Sequence, residues 1–157
     1  MFDLAAHIIR QKEFSLNTFG PGRRTKGVCE HIRKEMKEIE ADPKDIWEWV
    51  DVIILGFDGA WRSGLKLDSI VSGVKELKPG RDVMRMLEWA VDAAENGNDY
   101  GWIDIINLGC RGAQNVGWPR EAIWYAMLAK QIKNEAREWP DWRTQSEDHA
   151  IEHVRSE

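Results

Sequence analysis

Apolar residues in this chain recur at every third or fourth position, in stretches separated by proline and glycine. This spacing lines one face of an α-helix, and no segment shows the apolar–polar alternation expected of a half-buried strand. The sequence therefore predicts an all-α fold, a helical bundle joined by short loops. The predicted helices span residues 2–12, 25–40, 43–62, 67–77, 82–95, 102–113 and 119–139.

Proline and glycine set the boundaries of the predicted helices. Residues 17–26 are expected to form a loop, because Gly20-Pro21-Gly22 cannot lie inside a helix. Asp42 is predicted to cap the third helix, with Pro43 at its first position. Because 157 residues suffice for one core and not comfortably for two, residues 1–157 are interpreted as a single domain.

An internal repeat relates two of the predicted helices. Residues 49–64 and 102–117 share a tryptophan, an aspartate, an isoleucine, a leucine, three glycines and an alanine in register. The repeat predicts a duplicated helical hairpin whose two copies pack in the same way. A chance similarity between two amphipathic helices is the alternative.

Four acidic residues form two pairs at helical spacing, Glu35 with Glu38 and Glu48 with Asp51. Residues three apart lie on one helix face. The tight turn at 42–43 makes the two helices antiparallel neighbours, so Glu35 and Glu48, each about six residues from the turn, should meet at similar heights. Converging carboxylates repel one another, and their oxygen atoms suit Mg²⁺ or Mn²⁺ as the counter-charge.

These acids also have plain structural interpretations. Glu35 and Glu38 stand in the segment RKEMKEIE, which suits a solvated helix face equally well. Asp51 lies in an apolar run, where an unpaired charge is costly to bury. Because Asp104 holds the same place in the second copy of the repeat, a capping role or pairing with a basic side chain is an alternative for Asp51.

The second copy of the repeat has not kept the whole acid set. Glu88 corresponds to Glu35, but Val91 and Gly101 stand where the first copy has Glu38 and Glu48. The first copy is therefore expected to hold the site. The second is expected to be a degenerate structural partner.

Two groups of cationic and amide side chains accompany the acids. The first follows the Gly-Pro-Gly loop, where the outer phosphates of a nucleotide can reach it. The second falls at i, i+4 and i+7 on the last predicted helix, although such residues are often only solvated. The first group is Arg23, Arg24 and Lys26, and the second is Lys130, Asn134 and Arg137.

Composition limits the functional classes. A net charge of −5 argues against a dedicated nucleic-acid binder, which needs a basic surface. No apolar run is long enough to span a bilayer, and Cys29 and Cys110 form no metal-binding or redox pattern, so we expect reduced thiols in a cytoplasmic protein. His149 and His153 have chelating spacing but stand in a polar tail, which favours surface histidines.

With these acids, the chain resembles the MazG-like all-α nucleotide pyrophosphohydrolases, whose signature is E-x-x-E on one helix and E-x-x-D on the next. It is most similar to the dATP/dGTP diphosphohydrolase branch of phages and bacteria. The supporting stretches are FSLNTFGPGRRTKGVCEHIRKEM, EWVDVIILGFDGAWRSG, KQIKNEAREWPDWR and AIEHVR. Two departures are Lys34, where the family usually has an acid, and the short gap between the acid pairs. Residues 65–117 are interpreted as an insertion or a degenerate second hairpin.

The resemblance implies a metal-dependent reaction in which a (deoxy)nucleoside triphosphate, dGTP or dATP, becomes a monophosphate and pyrophosphate. Two or three Mg²⁺ or Mn²⁺ ions on the acid quartet would lower the pKa of a bound water, which attacks the α-phosphorus. The resemblance also implies a homodimer or higher homo-oligomer. Residues implied to contact substrate are Arg24, Lys26, Lys130, Asn134 and Arg137, with Phe14, Trp61 or Trp139 stacking the base.

Three other interpretations remain. The acids could bind a basic partner in a helical interaction module, or the chain could bind a nucleotide without hydrolysing it. A di-iron carboxylate bundle ranks below both, because that class uses E-x-x-H pairs and neither acid pair offers a histidine.

Overall fold

The computed structural model describes residues 1–75 and 82–155, and within these ranges the protein is helical with no strand. The all-α prediction is thus confirmed. One hydrophobic cluster draws buried side chains from every helix. The helices are α1 (Leu4–Phe19), α2 (Thr25–Ala41), α3 (Ile46–Arg62), α4 (Leu67–Gly73), α5 (Val83–Glu95), α6 (Tyr100–Asn115) and α7 (Arg120–Ala136), followed by a 3-10 turn at Trp142–Thr144.

The predicted boundaries of α1, α3 and α4 are wrong. Helix α1 continues beyond residue 12 and into the predicted loop, ending at Phe19, and Ser15 in the added turns is buried and donates a hydrogen bond of 2.5 Å to Asp58 on α3. Asp45, not Asp42, caps α3 by accepting from the backbone N–H of Trp47, so Pro43 lies before the helix. The predicted fourth helix already ends at Gly73, and residues 76–77 of that prediction lie outside the described residues.

Helix α7 also stops earlier than predicted, at Ala136. Arg137 adopts an extended conformation (φ −81°, ψ 154°), so it leaves the helix face that Lys130 and Asn134 share. The chain then turns at Trp142–Thr144 and runs on without helix to residue 155, the last residue described.

Helices α3 and α6 pack through reciprocal contacts between the two copies of the repeat. The ring of Trp49 lies against Gly112, and the ring of Trp102 lies against Gly59. A Cβ atom built at either glycine would stand 2.1 Å from the tryptophan of the other helix. Because Trp49 corresponds to Trp102 and Gly59 to Gly112, the helices meet in the manner of two equivalent subunits, which supports a duplicated hairpin.

A second pair of glycines extends this reciprocity. Gly56 lies against Ile106, and Gly109 lies against Ile53, at 2.8 and 2.7 Å from the position a Cβ atom would take. The small residues let the two helix backbones approach closely, while the large partners fill the space beside them. The position and rotation of α3, which carries Glu48 and Asp51, therefore depend on α6.

A buried ion pair fastens the N-terminal loop to α3. The guanidinium of Arg62 bonds Asp58 at 3.0 Å and also donates to the carbonyl oxygens of Ser15, Gly20 and Gly22. Its side chain is 1% exposed, so these partners replace all of its water. The loop that precedes α2 is thereby held against the end of α3.

None of the helices in the described part of the chain is both long and apolar enough to cross a membrane. Cys29 and Cys110 are both buried free thiols, and burial raises the pKa of each to about 12.

Gly112→Ala and Gly59→Ala should each destabilise the fold, although alanine favours helix by about 1 kcal/mol over glycine. The added methyl group overlaps a buried indole ring, and overpacking of this kind costs about 1–3 kcal/mol. Chemical denaturation would measure both variants beside Ser72→Ala, an exposed helical control. Unchanged stability in both glycine variants would contradict the reciprocal packing.

Candidate active site

Three of the four predicted acids converge between α2 and α3. Glu35, Glu38 and Glu48 each offer a carboxylate oxygen within 4.8 Å of the other two. Glu35 is buried, Glu48 is half-buried and Glu38 is exposed, so the group opens from the helix interface towards solvent. The antiparallel arrangement expected across the turn at 42–43 therefore brings the two acid pairs together.

Asp51 lies beside this group but has a cationic partner. It accepts a hydrogen bond of 3.0 Å from the Nζ atom of Lys130 on α7. Both side chains are largely buried, at 18% and 13% exposed. The expectation that a basic side chain could pair with Asp51 is thus met, and the acid remains free to offer its second oxygen to a ligand.

Burial and the neighbouring charges shift the pKa values of the acid group. Burial, together with hydrogen bonding and charge from Glu35 and Glu38, raises the pKa of Glu48 to about 9. Burial alone would also raise the pKa of Glu35, but hydrogen bonds from His31 and Glu48 outweigh it and lower that pKa. Burial raises the pKa of Asp51 to about 6, against the opposing charge of Lys130.

The donor set fits a hard divalent cation. The Oε2 atom of Glu35 is buried without a hydrogen-bond partner, which is costly for a carboxylate. His31 bonds the other oxygen of Glu35 at 3.2 Å and so orients the group. A cation beside Glu35, Glu38 and Glu48 would satisfy the orphaned oxygen and remove the mutual repulsion. Oxygen ligands of this type favour Mg²⁺ or Mn²⁺.

A cavity of about 290 Å³ extends from the acids between α1, α2, α3 and α7. All four predicted acids line it, as do Arg24, Lys130, Asn134 and Arg137. Lys26 does not line it, and neither does Arg23, which instead donates to the carbonyl of Ser63. The structure therefore brings four of the five expected substrate-binding residues to the acids.

Aromatic side chains form another part of the cavity wall. Phe14, Phe19 and Trp139 contact one another edge to face, with ring centroids 5.0–6.3 Å apart. All three line the cavity, so Phe14 and Trp139 are placed to contact a base. Trp61 lies outside the lining, where its ring is covered by Arg62 and Lys12.

Several lining residues were not identified from the sequence. Phe19 falls in the predicted loop, His31 belongs to neither acid pair, and His153 stands in the predicted polar tail. His149 is exposed and bonds Glu30, as expected of a surface histidine, but His153 is half-buried and lines the cavity. The sequence carried one usable signal, the i, i+4 relation of His31 to Glu35.

The fold and the acid group together define a helical protein whose site can hold a divalent cation beside an aromatic cavity. A family model described as dATP/dGTP pyrophosphohydrolase matches residues 8–85 and 73–157. The chain belongs to this family of hydrolases, as its resemblance predicts. No curated protein and no solved structure matches the chain.

Without a cation, the protein should lose stability as the pH rises from about 4.5 towards 9. Glu48 has an ordinary pKa of 4.5 and a raised pKa of about 9 in the fold, so in this interval the folded protein holds a proton that the unfolded chain releases. The stabilisation is therefore complete at low pH and lost as the pH approaches 9. Melting temperatures in chelator across this range would show the decline.

Glu48→Gln should flatten this pH dependence, because the amide does not titrate. Glu40→Gln, at an exposed position on the same helix as Glu35, is the matched control and should keep the slope of the unsubstituted protein. An equal slope in Glu48→Gln would show that another group is responsible.

Proposed function

We propose that this protein hydrolyses a purine deoxynucleoside triphosphate, dGTP or dATP, to the monophosphate and pyrophosphate, with Mg²⁺ or Mn²⁺ as cofactor. The observation that carries the proposal is the convergence of Glu35, Glu38 and Glu48 at the end of a cavity large enough for part of a nucleotide. Family membership supports the reaction class and the purine deoxynucleotide substrate.

In this proposal the acids hold the cation or cations and position the attacking water. Bound divalent ions neutralise phosphate oxygens and make a coordinated water more acidic. Glu35, Glu38 and Glu48 would be the first ligands, and Asp51 would join them by its second oxygen. Glu38 is the most exposed of the three and is suited to accept the proton of the water that attacks the α-phosphorus.

Lys130 would stabilise the negative charge that develops on the phosphates. Its ammonium already lies 3.0 Å from Asp51, at the border between the acids and the rest of the cavity. Fixed cations in a partly buried site stabilise such charge without reorganising. Asn134 and Arg137, which bond one another at 3.0 Å, would contact the substrate further from the acids.

The aromatic group at Phe14, Phe19 and Trp139 would receive the base. Purines offer a larger stacking surface than pyrimidines, which is consistent with a purine substrate. The indole N–H of Trp139 is already bonded to the carbonyl of Asn134, so this ring is held in place before substrate binds.

Turnover of a panel of dNTPs and NTPs with Mg²⁺ or Mn²⁺ would test the proposal. We expect monophosphate and pyrophosphate from a purine deoxynucleotide, and no activity in chelator. Glu38→Gln should lower kcat by about 100-fold or more, the range for losing a positioned proton acceptor. Glu40→Gln should retain activity.

Other products or no products would contradict the proposal. A nucleoside diphosphate and inorganic phosphate as products would show that the bond between the β- and γ-phosphates is cleaved instead. Binding of a nucleotide by the folded protein without turnover would favour a nucleotide-binding regulator, and no binding would favour an interaction module.

We also propose that the protein forms a homodimer or higher homo-oligomer. Ile9 on α1, with Tyr125 and Ile132 on the neighbouring α7, are large apolar side chains that are about half exposed. A second copy would remove such surface from water. Light scattering after size exclusion should give a mass that is a multiple of 18.2 kDa, the mass of one chain. Ile132→Asp should lower the measured mass towards that of a single chain. A monomer at all concentrations would refute this proposal.

A further inference from the structure

The C-terminal segment of residues 146–155, here termed the strap, forms one wall of the cavity. It has no helical structure and lies across α2. Five of its side chains line the same cavity as the acids, those of Ala150, Ile151, Glu152, His153 and Arg155.

Hydrogen bonds fasten the strap along its length. The backbone N–H of Gly27 donates to the carbonyl of Glu147, and Arg24 donates to the carbonyl of His149 at 2.9 Å. The backbone N–H of Ala150 donates to Glu30 at 2.9 Å. Further on, the N–H of Val154 donates to the carbonyl of Glu138 at 2.8 Å. The strap is therefore docked at its start, middle and end.

The start of α2 is shaped to receive the strap. A Cβ atom at Gly27 would lie 2.6 Å from the carbonyl oxygen of His149, so only glycine leaves room for this contact. Arg24 has a left-handed backbone (φ 52°) and is 7% exposed, which directs its guanidinium inward to the strap. Ile151 of the strap is itself buried, at 4% exposed. The strap is therefore packed against the start of α2 and forms an ordered wall of the cavity.

The far end of the strap brings cations to the cavity. Its His153 is half-buried, with its ring 5.8 Å from the ring of Trp139. Burial lowers the pKa of His153, and the positive charges of Arg137 and Arg155 lower it further. His153, Arg137 and Arg155 line the same cavity as Lys130, which bonds Asp51 beside the acids.

We propose that the strap completes the substrate site, with Arg155 and His153 binding the two outer phosphates of the nucleotide beside Arg137. This inference rests on the proposed function. The α-phosphorus must lie near the acids, because water bound there attacks it. The outer phosphates then extend past Lys130 to this group, where guanidinium groups can bond phosphate oxygens in pairs.

Steady-state kinetics of Arg155→Ala would test the inference. Arg155 is exposed, so its replacement removes little packing and should leave the melting temperature unchanged. We expect KM for the triphosphate to rise about tenfold, as for loss of a hydrogen bond to a charged group. Arg155→Lys should recover part of that loss, and His153→Gln should raise KM in the same direction.

Product inhibition separates phosphate binding from a general loosening of the site. Inhibition by pyrophosphate should weaken about tenfold in Arg155→Ala, because the same hydrogen bond to phosphate is lost. Inhibition by the monophosphate should stay unchanged. Arg143→Ala is the matched control, because Arg143 belongs to the same C-terminal region and lies outside the cavity lining. An unchanged KM, or equal weakening of both products, would overturn the inference.

Direct binding of pyrophosphate distinguishes this inference from the proposed function. If the unsubstituted protein fails to hydrolyse any triphosphate, the proposed function fails on its own. Calorimetry with pyrophosphate and Mg²⁺ then still tests the strap. Weaker binding by Arg155→Ala than by Arg143→Ala supports it, whereas equal binding or none overturns it.

Discussion

The reciprocal packing of α3 on α6 is the constraint on which the site depends. Trp49 fills the space over Gly112, and Trp102 fills the space over Gly59, so neither helix can slide or rotate without a clash. Glu48 lies one residue before Trp49, and Asp51 two residues after it. The heights of these carboxylates relative to α2 are therefore fixed by tryptophan–glycine contacts between α3 and α6.

The acid group that α2 and α3 carry is destabilised by burial and by repulsion between its carboxylates. Three carboxylates share a small volume, one oxygen of Glu35 has no partner, and the pKa of Glu48 is raised to about 9. Without a cation, the proton that Glu48 keeps up to about pH 9 relieves this repulsion. A cation would then bind a site whose geometry is already formed, which lowers the entropy cost of assembling its ligands.

The sequence predicted the fold class and the acid group because both depend on local spacing. Apolar periodicity identified the helices, and the i, i+3 relation within each acid pair survived even though Asp45, not Asp42, caps α3. Contacts distant in sequence were not predictable. The added turns of α1 include Ser15, which bonds Asp58, and the position of His153 in the cavity lining depends on a strap held by Arg24 and Glu30. No periodicity marks such a segment, since its structure comes from what it packs against.

The internal repeat separates two demands that would fall on the same residue in a dimer of identical chains. In such a dimer, one codon specifies both the ligand in one half and its counterpart in the other. Here Glu38 and Val91 hold equivalent places, yet each is encoded separately, as are Glu48 and Gly101. A Cβ atom built at Gly101 would lie 2.9 Å from the carbonyl oxygen of Ala90. A glutamate at this position would therefore clash with α5. One half of the repeat can therefore provide packing alone, while the other half carries the acid group.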